Sequence, residues 1–126
     1  MKVVLADDSP LILERVLEMV SRFKLVEISG AYTNGTDTLE GIKTLQPDLA
    51  IVDINMPGLN GLEVLQEIRK ENKEIKFIIL TFYATDLSRK KAMELGADFF
   101  FSKVDDFEKV PMVIGEMLKK KLTPQL

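Results

Sequence analysis

Cysteine and histidine are both absent from this chain of 126 residues. Without cysteine there is no disulfide framework, no thiol nucleophile and no thiolate metal site. Without histidine there is no Ser-His-Asp triad, no imidazole acid–base step and no imidazole zinc ligand. Any chemistry therefore falls to carboxylates, hydroxyls and lysines. No apolar run approaches the ~18 residues of a membrane span, and the hydrophobic opening is cut off at Asp7-Asp8, which is no signal peptide. A cytoplasmic protein without a membrane partner is expected. Lysine and arginine number 17 against 20 acids, a net charge of −3 that gives no general attraction to nucleic acid. No Pro/Ser-rich linker, internal repeat or low-complexity tract divides the sequence. Residues 1–126 are expected to form one domain, with no effector domain inside the chain.

What is present is an alternation of short apolar runs with helical periods. Val3–Ala6, Leu49–Val52, Phe77–Leu80 and Phe99–Phe101 are continuous aliphatic or aromatic runs, the pattern of strands covered on both faces. Val26–Ser29 alternates and predicts a strand nearer an edge. Ser9-Pro10 combines a capping hydroxyl with a proline at the first helical position, and Ile12, Leu13, Val16, Leu17 and Val20 form an apolar stripe behind it. Further helices are predicted over about 35–45, 62–69, 86–95 and 107–121, with Gly96 ending the fourth and Pro111 confined to the first turn of the fifth. Five strand–helix repeats predict an α/β fold, a doubly wound five-stranded parallel sheet with helices on both faces. Ligands of such sheets bind beyond the carboxyl ends of the strands, where the strand order reverses.

The residues at those ends converge chemically. The first strand runs into Asp7-Asp8, the third into Asp53, the fourth into Thr81 and the fifth into Ser102-Lys103. Each alone has an ordinary explanation as a turn, cap or surface residue; independent surface choices have no reason to meet on one edge. Two carboxylates about 5 Å apart repel by roughly 3 kcal/mol at an effective dielectric of about 20, so three gathered together need a cation or a raised pKa. With oxygen ligands alone the natural guest is a hard divalent ion. Mg²⁺ fits best, because it accepts one or two carboxylates, keeps several waters and works beside phosphate. Lys103 and the Thr81 hydroxyl would hold the anion that the metal also binds, and Lys103 is not required to cancel the acids directly. Metal, ammonium and hydroxyl around a carboxylate make a phosphoryl-transfer site. Aspartate can serve as the nucleophile, and Asp53, alone on the central strand, is the candidate acceptor.

At these residues the sequence resembles the receiver domain of two-component response regulators, the family of the chemotaxis response regulator. The motifs are Leu-Ala-Asp-Asp-Ser-Pro at 5–10, Pro-Asp-Leu-Ala-Ile-Val-Asp-Ile-Asn-Met-Pro-Gly-Leu-Asn-Gly at 47–61, Ile-Leu-Thr at 79–81, and Gly-Ala-Asp at 96–98 with Lys103. The likeness covers essentially the whole chain. It implies the flavodoxin-like (βα)5 strand order 2-1-3-4-5. It also implies a phosphorylation-dependent signalling switch. Asp53 would take a phosphoryl group from a histidine kinase or a phosphotransfer protein. Asp8 and Asp53 would bind Mg²⁺ through their side chains, Asn55 through its backbone carbonyl and Asp7 through water. Thr81 and Lys103 would hold the phosphoryl oxygens, and Phe100 would be the switch aromatic that follows Thr81. By strand alternation Phe99 and Phe101 should oppose Phe100. Asn55 and Tyr83 occupy positions that tune hydrolysis of the acyl phosphate, and a phenol at 83 implies a long-lived phosphorylated state. Such a domain catalyses its own phosphotransfer and autodephosphorylation and is a signalling domain rather than a metabolic enzyme.

Two residues depart from the family pattern. Phe82 follows the switch threonine where a small residue is usual, and its ring could narrow access to Asp53 or act as a gate. Val104 follows the lysine where a cis proline is frequent. A cis bond there would cost about 2.5–4 kcal/mol without proline, so a trans bond and an altered start to the fifth helix are expected. Phe82 also motivates the alternative of a receiver that binds partners without phosphorylation. A phosphatase of the haloacid dehalogenase type would want an aspartate where Asn55 stands, and a flavin carrier would find its phosphate repelled by Asp7-Asp8. Output is expected through a protein partner on the face of the fourth helix, fifth strand and fifth helix, beside Thr81 and Phe100, where Asp86, Arg89, Lys90 and Lys91 give mixed charge.

Overall fold

Three of the four continuous apolar runs become the inner strands of one sheet, and the fourth, Phe99–Phe101, becomes an edge. In a computed structural model, which describes residues 1–122, the elements alternate as β1 (Lys2–Ala6), α1 (Pro10–Ser21), β2 (Glu27–Tyr32), α2 (Gly35–Leu45), β3 (Leu49–Val52), α3 (Gly61–Arg69), β4 (Lys76–Thr81), α4 (Asp86–Glu94), β5 (Phe99–Ser102) and α5 (Lys109–Leu122). The last part of the expected domain span, 123–126, lies outside the described residues. All neighbouring strands are parallel, and their order is β2-β1-β3-β4-β5. The chain leaves β1 for β2 on one side and places β3 on the other. The order therefore reverses between β1 and β3, whose carboxyl ends carry Asp7 and Asp53. The pairing Ala6↔Val52 brings those ends level, and the Asp53 N–H donates to the Ala6 carbonyl at 3.0 Å.

Strand alternation divides the core in two. Val4, Ala6, Ala50, Val52, Phe77, Ile79 and Phe100 face Ile42 of α2, Leu62, Leu65 and Ile68 of α3 and Ala92 of α4. Val3, Leu5, Leu49, Ile51, Ile78 and Leu80 face Ile12, Val16 and Val20 of α1 and Val110 and Ile114 of α5, with Phe99 and Phe101 half-buried on that side. Phe100 thus opposes Phe99 and Phe101, as the alternation requires, and the latter two rings pack at 5.6 Å.

The helices start where side chains satisfy their first free N–H groups. Ser9 caps α1 and accepts from Ile12, with Pro10 opening the helix. Asn34 caps α2, and Asn60 and Glu63 form a reciprocal capping box on α3, a pair worth about 1 kcal/mol or more. Thr85 and Ser88 do the same for α4, which Gly96 ends with φ +104°. Pro111 falls in the first turn of α5.

Several boundaries differ from the sequence-based expectation. β2 runs to Tyr32, not Ser29, because a register shift between Val3 and Val4 lets pairing with β1 continue to Ala6↔Tyr32 despite weak strand formers at Gly30-Ala31. Thr81 and Ser102 are paired strand residues rather than loop residues. α5 begins at Lys109 rather than 107, because Asp106 and Phe107 close turns onto Lys109 and Val110 first.

Candidate functional site

Packing delivers the acidic edge as a rigid unit. A Cβ on Gly61 would lie 2.1 Å from the Asp53 carbonyl oxygen, and one on Gly35 would lie 1.7 Å from that of Leu59. Only glycine lets the starts of α3 and α2 press onto the loop after β3, and the Gly61 N–H donates to the Ile54 carbonyl at 2.8 Å. The Asp53 backbone is held by Gly61 against its carbonyl and by its N–H bond to Ala6.

Asp7, Asp8 and Asp53 each bring one carboxylate oxygen to a common point, all within 4.8 Å of one another. Asp7 and Asp53 are each 4% exposed and Lys103 is 6% exposed, whereas Asp8 is open to solvent. The two oxygens of Asp7 are both engaged: Oδ1 accepts the Ser9 N–H at 2.9 Å, and Oδ2 pairs with the Lys103 ammonium. Lys103 Nζ also reaches Asp53 Oδ2 at 3.1 Å. The lysine therefore neutralises the acids directly, a pairing that its expected role of holding an anion did not require; at this depth two carboxylates without a counterion would be too costly. Asp53 Oδ1 is left buried with no hydrogen-bond partner, the sole such side-chain atom among the described residues. Burial raises the Asp53 pKa to about 6, the nearby Asp7 charge pushing the same way and Lys103 opposing it. An orphaned carboxylate oxygen beside two further acids, in a chain with no imidazole or thiolate ligand, is a donor set that fits a hard divalent cation such as Mg²⁺.

Thr81 is fully buried, and its hydroxyl oxygen accepts the Tyr83 N–H at 3.3 Å. Alternation puts it on the sheet face of Ile79, opposite α4. Phe100 lies on that same face of the neighbouring strand, with the Arg89 guanidinium 4.7 Å from its ring centroid and Arg89 Nη1 donating to its carbonyl at 3.0 Å. Asn55 is exposed and Tyr83 stands 74% exposed at the rim. The aromatic ring that covers the lysine is that of Phe82, its centroid 4.9 Å from Nζ. No peptide bond among the described residues is cis, so the bond to Val104 is trans as expected. Proline's place is taken by side chains: Ser102 Oγ accepts the N–H groups of Val104 and Asp105, and Asp106 accepts the Ser102 N–H at 2.9 Å.

Sequence reasoning missed the Arg89 clamp, which it read only as part of a charged face, and the Ser102–Asp106 loop. A serine followed four residues later by an aspartate across a predicted turn is the signal available for the second; nothing in the sequence marks the first.

No helix among the described residues is long and apolar enough to cross a membrane. Residues 3–120 match the family model described as response regulator receiver domain. The nitrate/nitrite response regulator protein NarL of Escherichia coli (strain K12) is 30% identical over 130 residues, covering 98% of this chain and 60% of that protein. A protein-glutamate methylesterase/protein-glutamine glutaminase of Methanospirillum hungatei is 31% identical over 121 residues, covering 94% of this chain and 35% of that protein. The chain thus spans less than two thirds of these relatives' own length. Among solved structures, the signal receiver domain of a NarL response regulator from Mycobacterium tuberculosis superposes with a TM-score of 0.85 at 27% identity, covering 94% of this chain and 95% of the other. A LuxR-family DNA-binding response regulator from Staphylococcus aureus does so at 0.80 and 33% identity, covering 91% and 96%. With five parallel strands in the order 2-1-3-4-5 and the acids gathered where that order reverses, the chain belongs to the receiver domains of two-component response regulators.

Proposed function

We propose that Asp53 accepts a phosphoryl group from the phosphohistidine of a histidine kinase or a phosphotransfer protein, and that the acyl phosphate switches a docking surface for a downstream protein. The observation that carries this reading is Asp53 Oδ1, a buried oxygen with no hydrogen-bond partner, on a residue that shares a three-acid cluster. In the transfer Oδ1 attacks phosphorus, the P–N bond to the donor imidazole breaks, and the imidazole leaves with the bonding pair. Ionised Asp53 is the reactive form, and a pKa of about 6 leaves it ionised at neutral pH. A bound Mg²⁺ would supply charge neutralisation for the transferring group, held by Asp8, Asp53 and the Asn55 backbone carbonyl, with Asp7 acting through water. That division agrees with the open position of Asp8 and the full engagement of Asp7. Lys103 would turn one N–H from the carboxylates to a phosphoryl oxygen, and the Thr81 hydroxyl would donate to another.

Movement of Thr81 would be felt at Phe100 on the same face, and from there at α4 through the Arg89 clamp, so that the surface of α4, β5 and α5 carries the output. Asn55 and Tyr83 at the rim would set how readily water reaches the acyl phosphate; an unchanged dephosphorylation half-life in Tyr83→Ala would remove Tyr83 from that role. Incubation with Mg²⁺ and acetyl phosphate, followed by intact-mass measurement, tests the central claim. The expected result is a gain of one phosphoryl group that Asp53→Asn abolishes. No gain in the unsubstituted chain would favour a receiver that binds partners without phosphorylation.

A further inference from the structure

Phe82 is the first residue beyond β4, and its ring is placed where no core contact demands it. One side of the ring lies against the Lys103 ammonium, 4.9 Å from centroid to Nζ, while the residue remains 50% exposed. The ammonium is thus held between two carboxylates and an aromatic face, and the lysine side chain is only 2% exposed. A cation over a ring in a partly desolvated setting is attracted to it, so the ring rests in place; because it is half in solvent, it can also leave. Any phosphoryl oxygen that Lys103 is to hold must come within hydrogen-bond reach of an ammonium that Phe82 now covers. Small solutes and water offer nothing to reseat the displaced ring. A protein donor offers apolar surface that can take it.

We propose that Phe82 is a gate over Lys103 that determines which donors, and how much water, reach Asp53. The inference rests on phosphorylation of Asp53. With acetyl phosphate, Oδ1 attacks phosphorus, the P–O bond to the acetyl group breaks, and acetate leaves with the pair. In hydrolysis a water oxygen attacks phosphorus, the P–Oδ1 bond breaks, the carboxylate returns, and inorganic phosphate carries away the water's protons. Both reactions need access on the side that the ring covers, so removing the ring accelerates both.

The experiment follows phosphoprotein by intact mass in Mg²⁺ with acetyl phosphate, then after removal of the donor, for the unsubstituted chain, Phe82→Ala and Asp53→Asn. Phe82→Ala is expected to gain phosphoryl about fivefold faster and to lose it faster by a similar factor, with a melting temperature unchanged because the ring is at the surface. Unchanged rates overturn the gate. Slower phosphorylation in Phe82→Ala also overturns it, and assigns the ring instead to holding Lys103 in position. A chain that gains no phosphoryl group with or without Phe82 sinks the reading of Asp53 itself, a result distinct from either failure of the gate.

Discussion

A carboxylate that ionises in a buried site loses its hydration, and Asp53 does so beside a second buried acid. Its pKa, raised from 3.8 to about 6, means that the folded chain holds the Asp53 proton more tightly than the unfolded chain does. Stability therefore falls as pH rises from about 4 to about 6 and stays reduced above. A rise of about two units corresponds to about 3 kcal/mol at most. In metal-free buffer Asp53→Asn should consequently be more stable than the unsubstituted chain by about 1–3 kcal/mol at pH 7.5, with the gain shrinking steadily between pH 6 and pH 4. Urea unfolding across that range measures it; a destabilised Asp53→Asn at pH 7.5 would show that the pairing with Lys103 outweighs the desolvation. The acids, Thr81 and Lys103 were legible in the sequence because residue type and position at a strand end suffice to gather them. That Lys103 lies across both carboxylates, and that the Phe82 ring packs on its ammonium, depends on rotamers chosen by packing from several elements. No periodicity carries that information.

Elements meet the site through their ends, and two of those ends admit tests. Ser102 Oγ takes two loop N–H groups and Asp106 returns a carboxylate to the Ser102 N–H, which brackets Lys103 on both sides in a chain where no proline follows the lysine. Ser102→Ala leaves two N–H groups without that acceptor. A loss of about 1–2 kcal/mol in urea unfolding is expected, together with slower phosphorylation by acetyl phosphate; an unaltered rate would show that Lys103 is held by its ion pairs alone. At the start of α3, Gly61→Ala drives a methyl onto the Asp53 carbonyl at 2.1 Å, so backbone must move. It should cost more than about 2 kcal/mol by chemical denaturation and displace the acceptor carboxylate as well. Helix starts were only partly legible. Ser9-Pro10 announced α1, whereas the Asn60–Glu63 capping box that starts α3 at Gly61 went unread. The end of β2 was not legible, because Gly30-Ala31 carries no strand signal and is held by its neighbour on β1.

Across the whole molecule, apolar runs without alternation imply strands covered on both sides, and two separate core clusters bear this out. Crossover handedness narrows the topology and the likeness to receiver domains selects the order, which the sheet shows. The acids belong to two separate strand ends and meet only when that order is formed, so the cluster exists in the folded chain and not in the unfolded one. Mg²⁺ that binds there must then stabilise the fold by mass action. At about ten times its dissociation constant the gain is about 1.4 kcal/mol, a rise of several degrees in melting temperature for a domain of this size. Because the ion competes with the proton on Asp53, whose pKa lies near 6, its apparent affinity should weaken about tenfold for each pH unit below that value. The thermal shift is therefore expected to be full at pH 7.5, small at pH 5, and lost at both in Asp8→Asn, an open position whose replacement leaves the core untouched. Thermal melts with and without Mg²⁺ at the two pH values decide it. A shift that survives Asp8→Asn, or that is equal at pH 5 and pH 7.5, would place the ion elsewhere on the molecule.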